Sequence, residues 1–214
     1  MKDLYIIGAG GFGREVADIV RAINAQSPAY RIAGFIDDDE TLWGGVKNDI
    51  PVPGGREYLK DLAASGASGV YAVIAIADAK IKEKIAAYLQ DVVIWENIVH
   101  PAAVVSAYCE MGRGNIVQAH AFVSANVRVG NHCMINTHSG LGHDAALADY
   151  ASVMGHCDIT GNAHVGKGAY LATSAAVIPN VRIGEYAYIC AGSVVFKDVK
   201  ANAVMIGNPA RQVK

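Results

Sequence analysis

The sequence predicts two structural units in a chain of 214 residues: an α/β unit around a parallel sheet, then a parallel β-helix of stacked triangular coils. Three observations carry this prediction. Stepping by six, every position from Val99 to Val195 is aliphatic: Val99, Val105, Met111, Val117, Val123, Val129, Ile135, Leu141, Leu147, Val153, Ile159, Val165, Leu171, Val177, Ile183, Ile189 and Val195. Neither a helical period near 3.6 nor a strand period of 2 produces such a series, whereas short strands each followed by a turn do. Residues 1–95, by contrast, alternate strand-like and helix-like segments. The helical signals vanish after His100-Pro101, where the six-residue period takes over.

The first unit, residues 1–95, opens with an apolar strand at Leu4–Ile7 that runs into Gly8-Ala9-Gly10-Gly11-Phe12-Gly13. Glu15–Ile23 follows with Val16, Ile19, Val20 and Ile23 at helical spacing. Arg31–Ile36 reads as a second strand ending in Asp37-Asp38-Asp39. Pro51, Pro53, Gly54 and Gly55 mark a loop, and Arg56–Ala64 a helix. Val70–Ile76 reads as a third, buried strand. Ala79–Leu89 is predicted helical with Ile81, Ile85 and Leu89 on its buried side, and Val92–Trp95 as a short fourth strand. This alternation argues for a parallel sheet of Rossmann type, with room for one mononucleotide-binding half.

The second unit, residues 96–214, should stack three short strands per coil of about 18 residues, with coils roughly 4.8 Å apart. The residue after each core aliphatic is often Gly (112, 130, 142, 166, 184), which suits corners that hold no bulk. Positions 18 apart lie above one another. His120, His138 and His156 then form one ladder; His143, Gly161 and Pro179 a second; Gly155, Thr173 and Ala191 a third; and Asp144 stands in a column with Asn126, Asn162 and Asn180.

Composition narrows the function classes. With 52% hydrophobic and 18% charged residues the chain can bury a core. A net charge of −2 gives no bulk attraction to nucleic acid, and no apolar run is long enough to span a bilayer. The N-terminus does not read as a signal peptide. Cys109, Cys133, Cys157 and Cys190 form no C-x-x-C pair and read as small buried residues, consistent with a reducing, cytoplasmic setting.

The histidines admit two readings. The ladder is either a column of corner residues or, through His138 and His143 with a third His from another subunit, similar to the zinc sites of β-helical carbonic anhydrases. His143-Asp144 suits a different chemistry. A neutral imidazole serves as general base near pH 7, and an adjacent carboxylate orients it and raises its basicity.

Three stretches resemble one family in chain order: Tyr5-Ile6-Ile7-Gly8-Ala9-Gly10-Gly11-Phe12-Gly13-Arg14-Glu15-Val16, then Phe35-Ile36-Asp37-Asp38, then Ile135-Asn136-Thr137 through Gly142-His143-Asp144. The tail Gly207-Asn208-Pro209-Ala210-Arg211 resembles the end of many hexapeptide acyltransferases. The chain is thereby similar to the NeuD/PglD-type sugar acetyltransferases. The resemblance implies a left-handed β-helix and acetyl-CoA as co-substrate without a metal. It also implies an acceptor that is a nucleotide-linked 4-amino sugar or, alternatively, a sialic acid hydroxyl. It assigns His143 as general base and Asp144 as the residue that raises its basicity. It implies that Gly10, Gly11 and Phe12 line the nucleotide-sugar site with Asp37, Asp38 and Ala77 beside them, and that acetyl-CoA lies along the prism, where Ser152 and, by the period, Gly161, Thr173 and Ala191 are expected against it. A homotrimer with sites at subunit boundaries is implied as well. Two positions depart from the family pattern: Ala77 stands where a Gly is usual, and Lys82 where an Arg is. A non-catalytic sugar-nucleotide scaffold on the same fold is the remaining alternative.

Overall fold

The computed structural model describes residues 1–67 and 69–214. The first unit is a four-stranded parallel sheet in the order β2-β1-β5-β6. Its strands are β1 (Lys2–Ile7), β2 (Tyr30–Ile36), β5 (Tyr71–Ile74) and β6 (Ile94–Trp95). Between β2 and β5 lies a short antiparallel hairpin of β3 (Val46–Lys47) and β4 (Ile50–Pro51), just ahead of the loop marked by Pro53, Gly54 and Gly55. Asn48 and Asp49 sit at its tip with φ of 46° and 64°, the paired left-handed conformation that Asn and Asp tolerate best. Helix α1 (Gly11–Gln26) packs on one face through Val16, Ile19 and Val20. Helices α2 (Arg56–Ala64) and α3 (Ala79–Tyr88) share the other core cluster, around Leu59, Ile85 and Leu89.

Helix α3 corrects one expectation. Ile81 is 47% exposed, while its neighbour Lys82 is 1% exposed. The helix is turned so that Lys82, Ile85 and Ala86 face inward. The long lysine stem fills space that an isoleucine would otherwise take, and its ammonium finds acceptors beyond it.

The second unit is a parallel β-solenoid with three sheets. The first runs from Ile98–Val99 through Met134–Ile135, Ser152–Val153 and Tyr170–Leu171 to Tyr188–Ile189, and is extended by Val204–Gly207 and Ala210–Gln212. The second carries Val104–Val105, Phe122–Val123, Gly140–Leu141 and Asp158–Ile159, and the third Arg128–Val129, Ala146–Leu147 and His164–Val165. From Val117 to Val195 every member of the six-residue series is buried, and Val99, Val105 and Met111 at the open end are partly so. Full burial of such side chains stabilises by about 1.5–3 kcal/mol each.

The corners explain a second periodicity. Three residues after each core aliphatic from Met111 to Ile189 the backbone is left-handed, at Gly114, His120, Asn126, His132, His138, Asp144, Tyr150, His156, Asn162, Gly168, Ser174, Asn180, Tyr186 and Gly192. Gly, Asn, Asp and His recur there because they bear positive φ most readily. The glycines after the aliphatics do a different job. A Cβ on Gly142 would lie 2.7 Å from the Gly161 nitrogen of the next coil, so these positions admit close backbone approach.

The α/β unit docks on the first sheet. Ile98 and Ile116 join the α1 core cluster, and Met134 and Ser152 are buried under the same unit. Gln118 Nε2 donates to Glu15 of α1 at 3.0 Å. Lys82 Nζ donates to the His132 carbonyl and to Ser152 Oγ, both at 3.0 Å, and Ser152 Oγ donates to the Ala77 carbonyl at 2.9 Å. Burial pushes the Lys82 ammonium down to about 8.

Candidate active site

His143 and Asp144 occupy the corner between the second and third sheets. Asp144 takes the left-handed conformation (φ 60°), and its Oδ2 lies 2.8 Å from His143 Nδ1. Asn126, one coil away, donates to the other carboxylate oxygen at 3.1 Å. The His143 contact, followed by the Asn126 bond, holds the Asp144 carboxyl below its usual range, so it stays an acceptor. An ionised carboxylate fixes the proton on Nδ1 and leaves the Nε2 lone pair free. The imidazole is exposed and lies over Gly161: a Cβ there would sit 2.7 Å from Nε2 and 2.8 Å from Cε1. The expected column is present, since the Asn162 amide donates to the His143 carbonyl at 3.0 Å and the Asn180 amide to that of Gly161 at 3.1 Å.

The glycine loop of the first unit forms a cradle. Gly8 has φ 109°, and a Cβ on Gly13 would collide with the Gly8 carbonyl oxygen, so only glycine lets α1 start against the strand. Gly10 and Gly11 are exposed with open space over Gly10. Gly10 caps α1 without a side chain, and no acid occupies the first turn. The helix therefore presents its amides and positive dipole end to any anion placed there. Phe12 beside them is partly buried against the α1 core.

Asp37 and Asp38 hold this loop region together. Asp37 accepts from the Ala9 amide at 2.8 Å, and Asp38 pairs with Arg56 at 2.6 Å and accepts from its amide at the start of α2. Both carboxylates thus order the loop and still border the cradle. Thr173 and Ala191 are exposed, one coil apart, at the corner between the first and second sheets, with the Gly192 amide donating to the Thr173 carbonyl at 2.9 Å. That corner is a different edge of the prism from the one bearing His143 and Gly161.

Ser152 departs from its expected place along the acyl donor. It is 1% exposed, and its hydroxyl is committed to Lys82 and Ala77 in the junction. Lys82 stands where an Arg is usual, and its burial is what sequence reasoning misses.

His120, His138 and His156 stack with ring centroids 4.9 and 5.0 Å apart, on the corner that also carries Thr173. His138 and His143 therefore point from different corners. Among the described residues no group of three His, Cys, Asp or Glu gathers as metal ligands. Cys133 and Cys157 are buried with thiols pushed up to about 12 and about 11, and Cys109 and Cys190 are only partly buried.

Residues 3–89 match the family described as PglD N-terminal domain. Sequence comparison with curated proteins gives no match. Among solved structures, PerB from Caulobacter crescentus in complex with CoA and GDP-perosamine is 29% identical, over 100% of this chain and 98% of its own, with a TM-score of 0.91. The acetyltransferase domain of PglB from Neisseria gonorrhoeae, in complex with acetyl coenzyme A, is 25% identical over 99% of both chains, with a TM-score of 0.88. WeeI from Acinetobacter baumannii is 28% identical over 100% of both chains, with a TM-score of 0.75. With a PglD N-terminal domain matched over residues 3–89 and a full-length likeness to these structures, the chain is similar to the NeuD/PglD-type sugar acetyltransferases.

Proposed function

We propose that this protein transfers the acetyl group of acetyl-CoA to the amine of a nucleotide-linked 4-amino sugar, with His143 as general base. The observation that carries the reading is the exposed His143–Asp144 pair, with the carboxylate against Nδ1 and Nε2 over the flat surface of Gly161. The full-length likeness to PerB, crystallised with CoA and GDP-perosamine, supports the choice of acceptor class.

The neutral amine attacks the thioester carbonyl while His143 Nε2 takes its proton. Asp144 stabilises the imidazolium that forms. The tetrahedral intermediate then expels the CoA thiolate, which takes the proton back from His143. The Gly161 amide, beside the imidazole, is the candidate donor to the developing oxyanion. No covalent enzyme intermediate is required.

The diphosphate of the acceptor sits on the amides at Gly10, Gly11 and Phe12, where a helix N-terminus favours anions. Its base and ribose lie toward Asp37 and Asp38. Thr173 and Ala191 offer an open edge for the pantetheine chain. Because that edge and the His143 edge lie at different corners of one prism, a second copy completes the site, and a homotrimer is the assembly we propose. Its unpaired cysteines and its co-substrates fit a cytoplasmic enzyme. Among the described residues no helix is long and apolar enough to cross a membrane.

The deciding experiment mixes the protein with acetyl-CoA and a panel of GDP- and UDP-linked 4-amino sugars plus free sialic acid, and follows release of the CoA thiol. Release with a nucleotide amino sugar, falling about 10²–10⁴-fold in kcat for His143→Ala, is expected of a general base. Release with sialic acid alone would reassign the reaction to O-acetylation. Near wild-type turnover by the variant would remove His143 from the chemistry.

A further inference from the structure

The docked α/β unit covers the outward column of the first sheet only part of the way. Ile98, Ile116, Met134 and Ser152 lie at 0–2% exposure, but the next two residues of the column are Tyr170, half-buried, and Tyr188, 42% exposed. Tyr170 and Tyr188 are paired in register on neighbouring strands, and their rings stack with centroids 4.9 Å apart and planes 6° from parallel. Opposite them stands the loop from β5 into α3. Together they bound an open groove of about 470 Å3, lined by Ala77, Lys80, Gly168, Tyr170, Tyr186 and Tyr188.

The groove has a fixed relation to the glycine cradle. Ala77 follows β5, and β5 pairs with β1, whose end runs into Gly8. Both features therefore lie outside the carboxyl ends of parallel strands, where open α/β sheets bind ligands. Asp37 and Asp38 end β2, on the opposite side of β1 from β5. A nucleotide sugar with its diphosphate on the α1 N-terminus and its base toward Asp37 and Asp38 extends its sugar toward β5 and the solenoid. On that side the loop after β5 bounds the groove of the tyrosine pair. Asp78, Lys80 and Asn202 edge the same groove; the Asp78 carboxylate caps the Ile81 amide, and Lys80 and Asn202 supply polar groups to orient a ligand over an aromatic wall.

Building on the acceptor reading above, we propose that the Tyr170–Tyr188 pair is the sugar subsite: the apolar side of the pyranose packs against the exposed part of the stacked tyrosine rings, with sugar hydroxyls directed to Lys80 and Asn202. The aromatic face supplies contact area at small conformational cost and leaves the phenolic edge in water. The pair sets which amino sugar is accepted, while the cradle sets only that a diphosphate is present.

The test uses the full-length protein and the nucleotide amino sugar that the wild type turns over, GDP-perosamine or a UDP-linked 4-amino sugar. Tyr188→Ala is expected to raise KM for that acceptor about tenfold or more. KM for acetyl-CoA, and calorimetric affinity for the free GDP or UDP, should stay within about twofold. Tyr188→Phe, which keeps the ring, should restore the acceptor KM. An unchanged acceptor KM in Tyr188→Ala overturns the subsite while leaving the acetyltransferase reading intact. Loss of GDP or UDP affinity in parallel also overturns it, because the ring would then hold the base. A wild type that acetylates only sialic acid removes the acceptor reading, and the subsite falls with it.

Discussion

His132 is the residue whose chemistry is most altered by its place in the fold. It is 5% exposed, stacked on Tyr150 at 5.5 Å and edge-on to Trp95 at 4.8 Å. Its Nδ1 has no hydrogen-bond partner among the described residues and lies directly over Gly114, where any Cβ would collide with the ring. Burial first, then the Lys82 and Arg113 charges, push its pKa down to about 4 against the opposing pull of Asp149. The unfolded chain takes up this proton near pH 6.5, but the native protein does so only near pH 4. Stability is therefore fully present above pH 6.5 and is lost as pH falls from there toward 4, by on the order of 2–3 kcal/mol. His132→Phe keeps a ring of similar shape and removes both the proton site and the unpartnered nitrogen. Thermal melts from pH 7.5 to 4.5 should show a shallower decline in this variant. Parallel curves for the two proteins would mean that other groups carry the acid sensitivity.

At the scale of elements, the solenoid corner is what turns two adjacent residues into a pair. Extended neighbours point to opposite faces, whereas the left-handed turn at Asp144 lets its carboxylate reach back to His143. The flat position one coil on is equally necessary. Gly161→Ala would set a methyl 2.7 Å from Nε2, so the ring must swing away from its place. Steady-state kinetics should show kcat reduced at least about tenfold, a loss of about 1.4 kcal/mol in transition-state stabilisation, with circular dichroism unchanged. Full activity in Gly161→Ala would show that the base works from another rotamer. Helix α3 makes the complementary point. Its buried face is set by the partner surface, which is why Lys82 is inside and Ile81 outside.

For the whole molecule, the second sheet leaves an apolar strip uncovered. Val104 is 60% exposed and Phe122 52%, and the two are paired on adjacent strands. This sheet runs between the corner that bears Thr173 and the corner that bears His143, the two edges the proposed trimer must bring together. Phe122→Glu is expected to shift sedimentation from trimer to monomer and to abolish CoA release together with it. A fully active monomer would show that one chain holds a complete site.

The sequence alone determined the architecture. A six-residue aliphatic period admits only short strands with regular turns, and the Gly8-to-Gly13 loop ahead of an amphipathic helix admits only a strand-to-helix turn with an open amide end. The 18-residue ladders follow from the period itself and put Asn126, Asp144 and Asn162 in one column, whereas His143 as the base rests on the family resemblance. Only the tertiary structure decided what the α/β unit covers. Docking on the first sheet buried Ser152, drew Lys82 inward, isolated His132 and stopped short of Tyr188. Local periodicity records which side a residue faces within its own element. It carries no record of which other element lies against that side, and burial, pKa and ligand access at the junction follow from that contact alone.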